Sequence, residues 1–416
     1  MNAVNVPVAA TNGRLPTDGV IRGLTGHAGR ADAYLPAPAA QNHSANLMQL
    51  ADGDIGCVWF GGTQEGVADI SIWMSRLRAG SDTWSTPVRL SEDPTRSEQN
   101  PVLFPTPTGE LWLLHTAQHA GNQDTSEVRY RVSIDDGETW SPTRTLLPVT
   151  AAGGVFVRQP VEILDSGRWL LPVFHCVRTP GRRWVGDHDT SAVMVSDDQG
   201  RTWREVPVPD STGCVHMNIH LVGDGSLLAL FRSRWADFVY QSRSYDDGDT
   251  WTKPVPTELP NNNSSIQYTP TVDGRLALVY NHSSASNATD RRISLYDEID
   301  DDGLVQDDGL VQDDGLVHQA GDPPATDPQP AQEGRSAFWG APRAPLSLAL
   351  SSDGGTTWPV RRDLEIGDGY CLTNNSRDGL NRELSYPAII QTADGTLHIA
   401  FTYFRQAIKY IRLRPA

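Results

Sequence analysis

Two sets of short segments in this chain carry side chains able to do acid–base and anion chemistry, and they recur at matching places. One set reads Asn42-His43, Gln99-Asn100, Arg158-Gln159, His216-Met217-Asn218, Asn261-Asn262-Asn263 and Glu383-Leu384-Ser385-Tyr386. The other reads Gly62-Thr63-Gln64-Glu65, His115-Thr116-Ala117-Gln118, His175, Arg232-Ser233-Arg234, Tyr280-Asn281-His282 and Tyr403-Phe404-Arg405. Guanidinium groups grip carboxylates, imidazoles exchange protons near neutral pH, and carboxamides meet hydroxyls as both donor and acceptor. Brought to one place, this mixture suits a charged, hydroxyl-rich ligand. Taken singly, each residue is as well explained as a solvated strand end.

What would bring them together is a repeated frame. A hydrophobic run enters a glycine turn and a second hydrophobic run leaves it, at Asp52-Gly53, Thr108-Gly109, Ser166-Gly167, Asp224-Gly225, Asp273-Gly274 and Asp394-Gly395. The first set of polar segments opens the run before each turn, and the second set closes the run after it. Between these units lies the pattern S-x-D-x-G-x-T-W, at Ser133–Trp140, Ser196–Trp203, Ser244–Trp251 and Ser351–Trp358, with a degraded copy at Ser75–Trp84. Asp and Ser side chains that bond backbone N–H groups, and a Gly that accepts positive φ, make this a tight turn between strands. Its Thr and Trp begin the next strand.

Six glycine turns imply six sheets of four antiparallel strands, an all-β six-bladed β-propeller. Alternation places the glycine turn and the S-x-D-x-G-x-T-W turn at one end, so both polar sets collect at the other end, around the axis. The sixth sheet runs to the C-terminus without the second turn, so closing the ring calls for a strand from residues 1–40. The propeller itself would span 41–416.

The net charge of −17 argues against nucleic acid as a partner. Much of it is local: residues 290–322 hold eleven acidic and two basic side chains, including Asp301–Gln306 repeated at Asp307–Gln312 and Asp313–His318. Such a low-complexity insertion, placed at about 284–340, is expected to be disordered. No apolar stretch suggests a membrane span, and the first residues do not read as a secretory leader, so a cytoplasmic location is expected. Cys57, Cys176, Cys214 and Cys371 match no metal spacing, and neither a metal nor a cofactor is expected.

From His43 to Leu413 the chain resembles the sialidase superfamily, and within it the branch of sialidase-like proteins built on BNR repeats. The resemblance rests on the S-x-D-x-G-x-T-W turns, which correspond to that superfamily's structural Asp boxes. It also rests on Trp59-Phe60-Gly61-Gly62-Thr63-Gln64-Glu65-Gly66, Gln99-Asn100-Pro101-Val102-Leu103-Phe104, Leu259-Pro260-Asn261, Arg343-Ala344-Pro345-Leu346 and Leu384–Thr392. It implies an enzyme acting at the end of an acidic glycan, by default an exo-α-sialidase. Sialidases hold the sialic-acid carboxylate with three arginines, use a Tyr polarised by a Glu as nucleophile, and an Asp as acid/base.

Carried onto this chain, the resemblance implies Arg232 and Arg343 as carboxylate ligands, with Arg158, Arg234 and Arg405 beside them. Asn100, Gln118 and Asn281 would bind hydroxyls. Tyr386, Glu383, Glu65 and Asp69 would supply the nucleophile and acid/base groups. Two positions depart from the pattern: the first arginine is replaced at His43, and the nucleophile position is Leu384, two residues before Tyr386. These departures suit a second chemistry, β-elimination from a glucuronate such as a rhamnosyl-glucuronate unit. In that case His43 or His115 would take the C5 proton and the arginines would stabilise the enolate. A non-catalytic sugar-binding propeller is the third reading.

Overall fold

The computed structural model describes residues 15–292, 294–296, 298–299 and 335–414. Six antiparallel sheets follow one another along the chain and form a six-bladed β-propeller. The first blade runs Gln41–Gln49, Ile55–Gly62, Ser71–Leu77 and Val88–Arg89. The second runs Ser97–Pro105, Leu111–Gln118, Glu127–Ser133 and Arg144–Leu147, and the fourth repeats that order over Cys214–Leu221, Leu227–Ser233, Phe238–Ser244 and Val255–Pro260. The fifth comprises Gln267–Pro270, Leu276–Asn281, Leu346–Ser351 and Val360–Glu365. In the sixth, Leu384–Gln391, Leu397–Tyr403 and Ala407–Leu413 come from the C-terminal part of the chain. Arg30–Tyr34 then pairs antiparallel with Ala407–Leu413, so the two ends of the described chain share one sheet.

Each of the four complete S-x-D-x-G-x-T-W turns closes in the same way. At the second-blade turn the Ser133 hydroxyl donates to Asp135, Gly137 N–H donates to Ser133 Oγ, and Thr139 donates from both N–H and hydroxyl to the Asp135 carboxylate. The Thr139 and Ser133 hydroxyls hold Asp135 down at a pKa of about 2, and the Thr202 hydroxyl does the same for Asp198. These aspartates are therefore occupied inside their own turns at the outer end. Each following tryptophan packs into the seam with the preceding blade: Trp84, Trp140, Trp203, Trp251 and Trp358 join five of the inter-blade cores. The seam between blades five and six has no such turn and is filled by Phe401, Leu346, Leu384 and Ile389.

The innermost strands are irregular where they meet the axis. Pairing slips between His43 and Asn46, Gln99 and Val102, Val215 and Asn218, and Ser385 and Ala388. Within these bulges Ser44, Asn100, His216 and Tyr386 take positive φ, between 49° and 65°. Bulges re-aim side chains, and a non-glycine residue in this region is strained. The third blade solves the same problem by interruption. Its inner strand is split into Gly153–Phe156 and Glu162–Ile163, with Arg158, Gln159 and Pro160 in the gap, because Pro160 has no N–H to give the ladder.

The insertion anticipated at about 284–340 is structured at both ends. Ser284 caps a short 3-10 turn, Arg292 pairs with Trp339 in an isolated bridge, and Leu295, Tyr296, Ile299 and Trp339 are buried. The acidic repeat at 301–318 lies outside the described residues. All four cysteines are buried and unpaired. Among the described residues no helix is long and apolar enough to cross a membrane.

The glycines of the S-x-D-x-G-x-T-W turns serve both backbone and packing. Gly248 has φ +88°, and a Cβ there would lie 2.9 Å from Leu170 of the preceding blade, whereas Gly225 at φ +81° faces open space. Gly225→Ala should therefore cost about 1 kcal/mol for backbone strain alone, and Gly248→Ala about 2 kcal/mol or more. Urea unfolding of the two variants checks the difference; equal midpoints would show that the seam can yield.

Candidate active site

The polar strand ends converge at one end of the axis on Tyr386. Its ring is surrounded by three guanidinium groups, with the Arg158, Arg232 and Arg343 carbons 5.5, 5.6 and 5.5 Å from its centroid. Arg232 Nη1 donates to the Tyr386 hydroxyl oxygen at 2.5 Å, and Arg232 Nε donates to Asn263 Oδ1. Two histidines flank the same ring: His43 at 4.3 Å, tilted against it, and His216 at 5.6 Å, edge-on.

These arginines are unequally compensated. Arg405 donates to both Glu65 and Glu383, Arg343 donates to Glu383, and Arg234 bonds Asp189 at 2.8 Å. Arg158 and Arg232 have no carboxylate partner among the described residues. Arg158 gives one nitrogen to the carbonyls of Ala45, Tyr386 and Pro387, while its Nε and Nη1 are buried without a partner. Burial draws Arg158 down to about 10 and Arg232 to about 9, the mark of cations held out of water with no counter-charge. Guanidinium groups placed in this way can pair with an anion.

Burial, reinforced by the neighbouring arginines, holds both histidines well below their usual range, so they are neutral. His43 Nδ1 hydrogen-bonds Thr402 Oγ1 at 2.8 Å, leaving Nε2 without a partner, and His216 Nδ1 is likewise unpartnered.

Two small adjacent clefts open at this end, each with room for little more than a water molecule. Tyr386, His216, Arg232, Arg234, Glu65 and Asn100 are among the residues that line one. Arg343, Arg405, Glu383, Arg292, Asn374 and Asn381 are among those that line the other. Leu295 and Trp339, from the loop of the fifth blade, wall both.

Measured against this geometry, the expected site residues separate. His43 lines neither cavity and sits behind Tyr386, and Arg158 lies in the floor. His115 is buried between strands of the second blade, its Nε2 3.2 Å from Glu98, and does not join the cluster. Asp69 is exposed and accepts the Thr63 N–H with both carboxylate oxygens, a turn role away from the axis. Asn281 is engaged with the carbonyls of Pro345 and Leu384. Gln118 holds the Tyr296 hydroxyl, and Asn100 accepts from Ser44. His216, seen in the sequence only as one strand opening among six, is the histidine that reaches the cavity. Its signal was its place in the opening of an inner strand, in register with Tyr386 and one residue past the position of His43. Among the described residues no three His, Cys, Asp or Glu side chains are grouped to hold a metal.

The chain matches the BNR repeat-like domain over residues 53–399, and it belongs to that family, within the sialidase-like superfamily. Among solved structures it is similar to a protein of unknown function from Dyadobacter fermentans, with TM-score 0.63 and 15% identity, covering 94% of this chain and 100% of the other. It is also similar to the Hadza microbial sialidase Hz136, with TM-score 0.61, 14% identity and coverage of 90% and 66%. The intramolecular trans-sialidase from Ruminococcus gnavus gives TM-score 0.60, 12% identity and coverage of 92% and 96%. At these identities the likeness is one of fold. One curated relative, the photosystem II assembly lipoprotein Ycf48 of Prochlorococcus marinus, is 24% identical over 158 residues, which is 38% of this chain and only 37% of the relative.

Two outcomes follow from the electrostatics. Arg405→Met leaves Glu383 and Glu65 buried without their shared cation and should destabilise the fold by about 3–5 kcal/mol in urea unfolding. The histidines give a pH dependence. Their folded pKa values lie below the unfolded value of 6.5, so the unfolded chain binds the extra protons and stability falls as pH drops below 6.5. Each contributes a slope of up to about 1.4 kcal/mol per pH unit, and His43→Gln or His216→Gln should flatten the measured curve.

Proposed function

We propose that this protein is a lyase that cleaves the bond to O4 of a hexuronate at the end of a glycan by β-elimination. The observation that carries this reading is the wall of one cavity: Arg232, without a carboxylate partner, beside the Tyr386 hydroxyl and the neutral ring of His216. Arg232 receives the uronate carboxylate, and Arg158 adds positive charge beneath Tyr386. Neutralising that carboxylate makes the C5 proton easier to remove and stabilises the enolate that forms. His216, whose ring lines the cavity, takes the proton. The C5–H electrons become the C4=C5 double bond, the C4–O bond breaks, and the leaving oxygen takes a proton from the Tyr386 hydroxyl. No water is added, and a proton passing from His216 back to Tyr386 resets the site. His43 and Thr402 behind the ring position Tyr386.

The carboxylates support elimination over hydrolysis. Retaining and inverting glycosidases use two carboxyl groups free to face the bond. Here Glu65 and Glu383 are both committed to Arg405, and Asp69 to its own turn. Tyr386 is hydrogen-bonded to an arginine and not to a glutamate, unlike a sialidase nucleophile pair.

The test is an absorbance time course at the wavelength of unsaturated uronates, with uronate-containing and sialylated oligosaccharides as substrates. A rise is expected on the former, and Tyr386→Phe should lower kcat by roughly a hundredfold or more. Free sialic acid released without absorbance would overturn the lyase reading in favour of hydrolysis, and binding without either product would reduce the site to recognition.

A further inference from the structure

The cleft at Tyr386 is poor in room and rich in positive charge. Around it Arg234 is matched by Asp189, and Arg343 and Arg405 are matched by Glu383 and Glu65. Arg158 and Arg232 remain, two buried positive charges with no carboxylate partner among the described residues. An unpaired ion held out of water costs far more than a paired one, so an anion placed beside them gains more than its hydrogen bonds. The lining nearest Arg232 is made of donors. Arg232 directs Nε at Asn263 and Nη1 at the Tyr386 oxygen, and the rest of its fork is available. Because the Tyr386 oxygen accepts there, its own O–H can point elsewhere. Asn100 accepts the Ser44 hydroxyl with Oδ1, so its amide hydrogens remain. The neutral His216 ring keeps one N–H. All four side chains line the same cleft, and the charge of Glu65, which also lines it, is answered by Arg405.

Room then selects among anions. The cleft holds little more than a water molecule, and a chloride ion is about that size. Polyatomic anions such as sulfate and phosphate are larger. Phe174, Leu295 and Trp339 add apolar walls, which favour an ion that gives up its hydration readily, as the heavier halides do. Leu295 and Trp339 belong to a strap from the fifth blade that is fixed on several sides. Tyr296 bonds Gln118 and Gln123 of the second blade, Glu298 bonds Gln64 of the first, and Trp339 donates to the Val185 carbonyl near the third. A wall fastened in this way keeps the room small.

We propose that the cleft formed by Arg232, Tyr386, His216 and Asn100 binds a single halide ion, chloride in ordinary solution, as counter-ion to the axial arginines. The ion stabilises the folded chain, and that effect needs no turnover. Only its second effect rests on the lyase reading: a uronate carboxylate that pairs with Arg232 must displace the ion, so chloride raises KM for that substrate and leaves kcat unchanged.

The experiment is chlorine NMR of the full chain, with urea unfolding alongside at constant total salt, chloride being exchanged for methanesulfonate, which is too large for the cleft. The chloride line should broaden when protein is added and sharpen again with bromide. Above the dissociation constant, each tenfold rise in chloride should raise the folding equilibrium constant about tenfold, as a single site requires. Arg232→Met should abolish both effects. Asn100→Asp keeps an acceptor for Ser44 and sets a carboxylate in the cleft wall, so it should also abolish the broadening, and in methanesulfonate it should be more stable than the parent. No broadening, broadening that bromide does not reverse or that persists in both variants, or a stability unchanged between the two salts would overturn the halide site. The two readings fail separately. Chloride binding with no unsaturated product keeps the ion site and removes the lyase, and unsaturated product with no chloride broadening and a KM unmoved by chloride does the reverse.

Discussion

Arg405 is the residue on which the axial end depends. It lies in the three-residue turn Phe404–Gln406 of the sixth blade, in which both Phe404 and Arg405 have positive φ, a conformation that hairpins normally reserve for Asn and Gly. That strain is offset by two buried carboxylates: Glu383 from the same blade and Glu65 from the first. The grip therefore spans the seam where the ring closes, a place where Arg30–Tyr34 also crosses to the last C-terminal strand. It has a chemical consequence as well. By taking both Glu65 and Glu383, Arg405 leaves, among the described residues, no pair of free carboxylates there and no counter-charge for Arg158 and Arg232.

The bulges extend the same logic to the other blades. A regular inner strand would alternate its side chains between the two seams, sending few toward the axis. Positive φ at Ser44, Asn100, His216 and Tyr386 turns these residues out of that alternation. Each such residue costs on the order of 1–3 kcal/mol, and a structure keeps it only where surrounding packing leaves no alternative. Here the packing is the set of inter-blade cores, five of them closed by a tryptophan from an outer turn. The outer turns so contribute to the chemistry from the far end of the blades, by stiffening the strands whose inner ends are bent.

The frame was readable in the sequence because it repeats: glycine turns set the number of blades and Ser, Asp, Gly, Thr and Trp mark the outer turns. The site was readable only as a neighbourhood. Register placed His216 and Tyr386 at the same point of their blades and His43 one residue earlier, but nothing in the sequence says which histidine faces the cavity, since that is decided by the bulge. Glu65 and Glu383 look like free acids until their partner Arg405 is seen, more than 300 residues from the former in the chain. His115 shares the expected spacing yet turns into its own blade to meet Glu98. Composition also hid the strap. A stretch dominated by acidic repeats contains Leu295, Tyr296 and Trp339, three apolar residues that wall or anchor the site.

The charge imbalance links binding to the rest of the fold. Two buried guanidinium groups without counter-charge among the described residues, beside two histidines that burial, reinforced by neighbouring arginines, keeps neutral, form an arrangement that burial alone would disfavour. Under the proposed function, a bound carboxylate would supply the missing charge in a place where water cannot, so ligand binding and stability would act on the same groups. It would also offset the arginine repulsion that adds to burial in keeping His216 neutral, which makes protonation of that ring easier while the anion is present. In the proposed elimination, the ring that would accept the proton is then a better base with substrate in place than in the empty site. This coupling needs no movement of the blades, only the arrival of the charge that the site lacks.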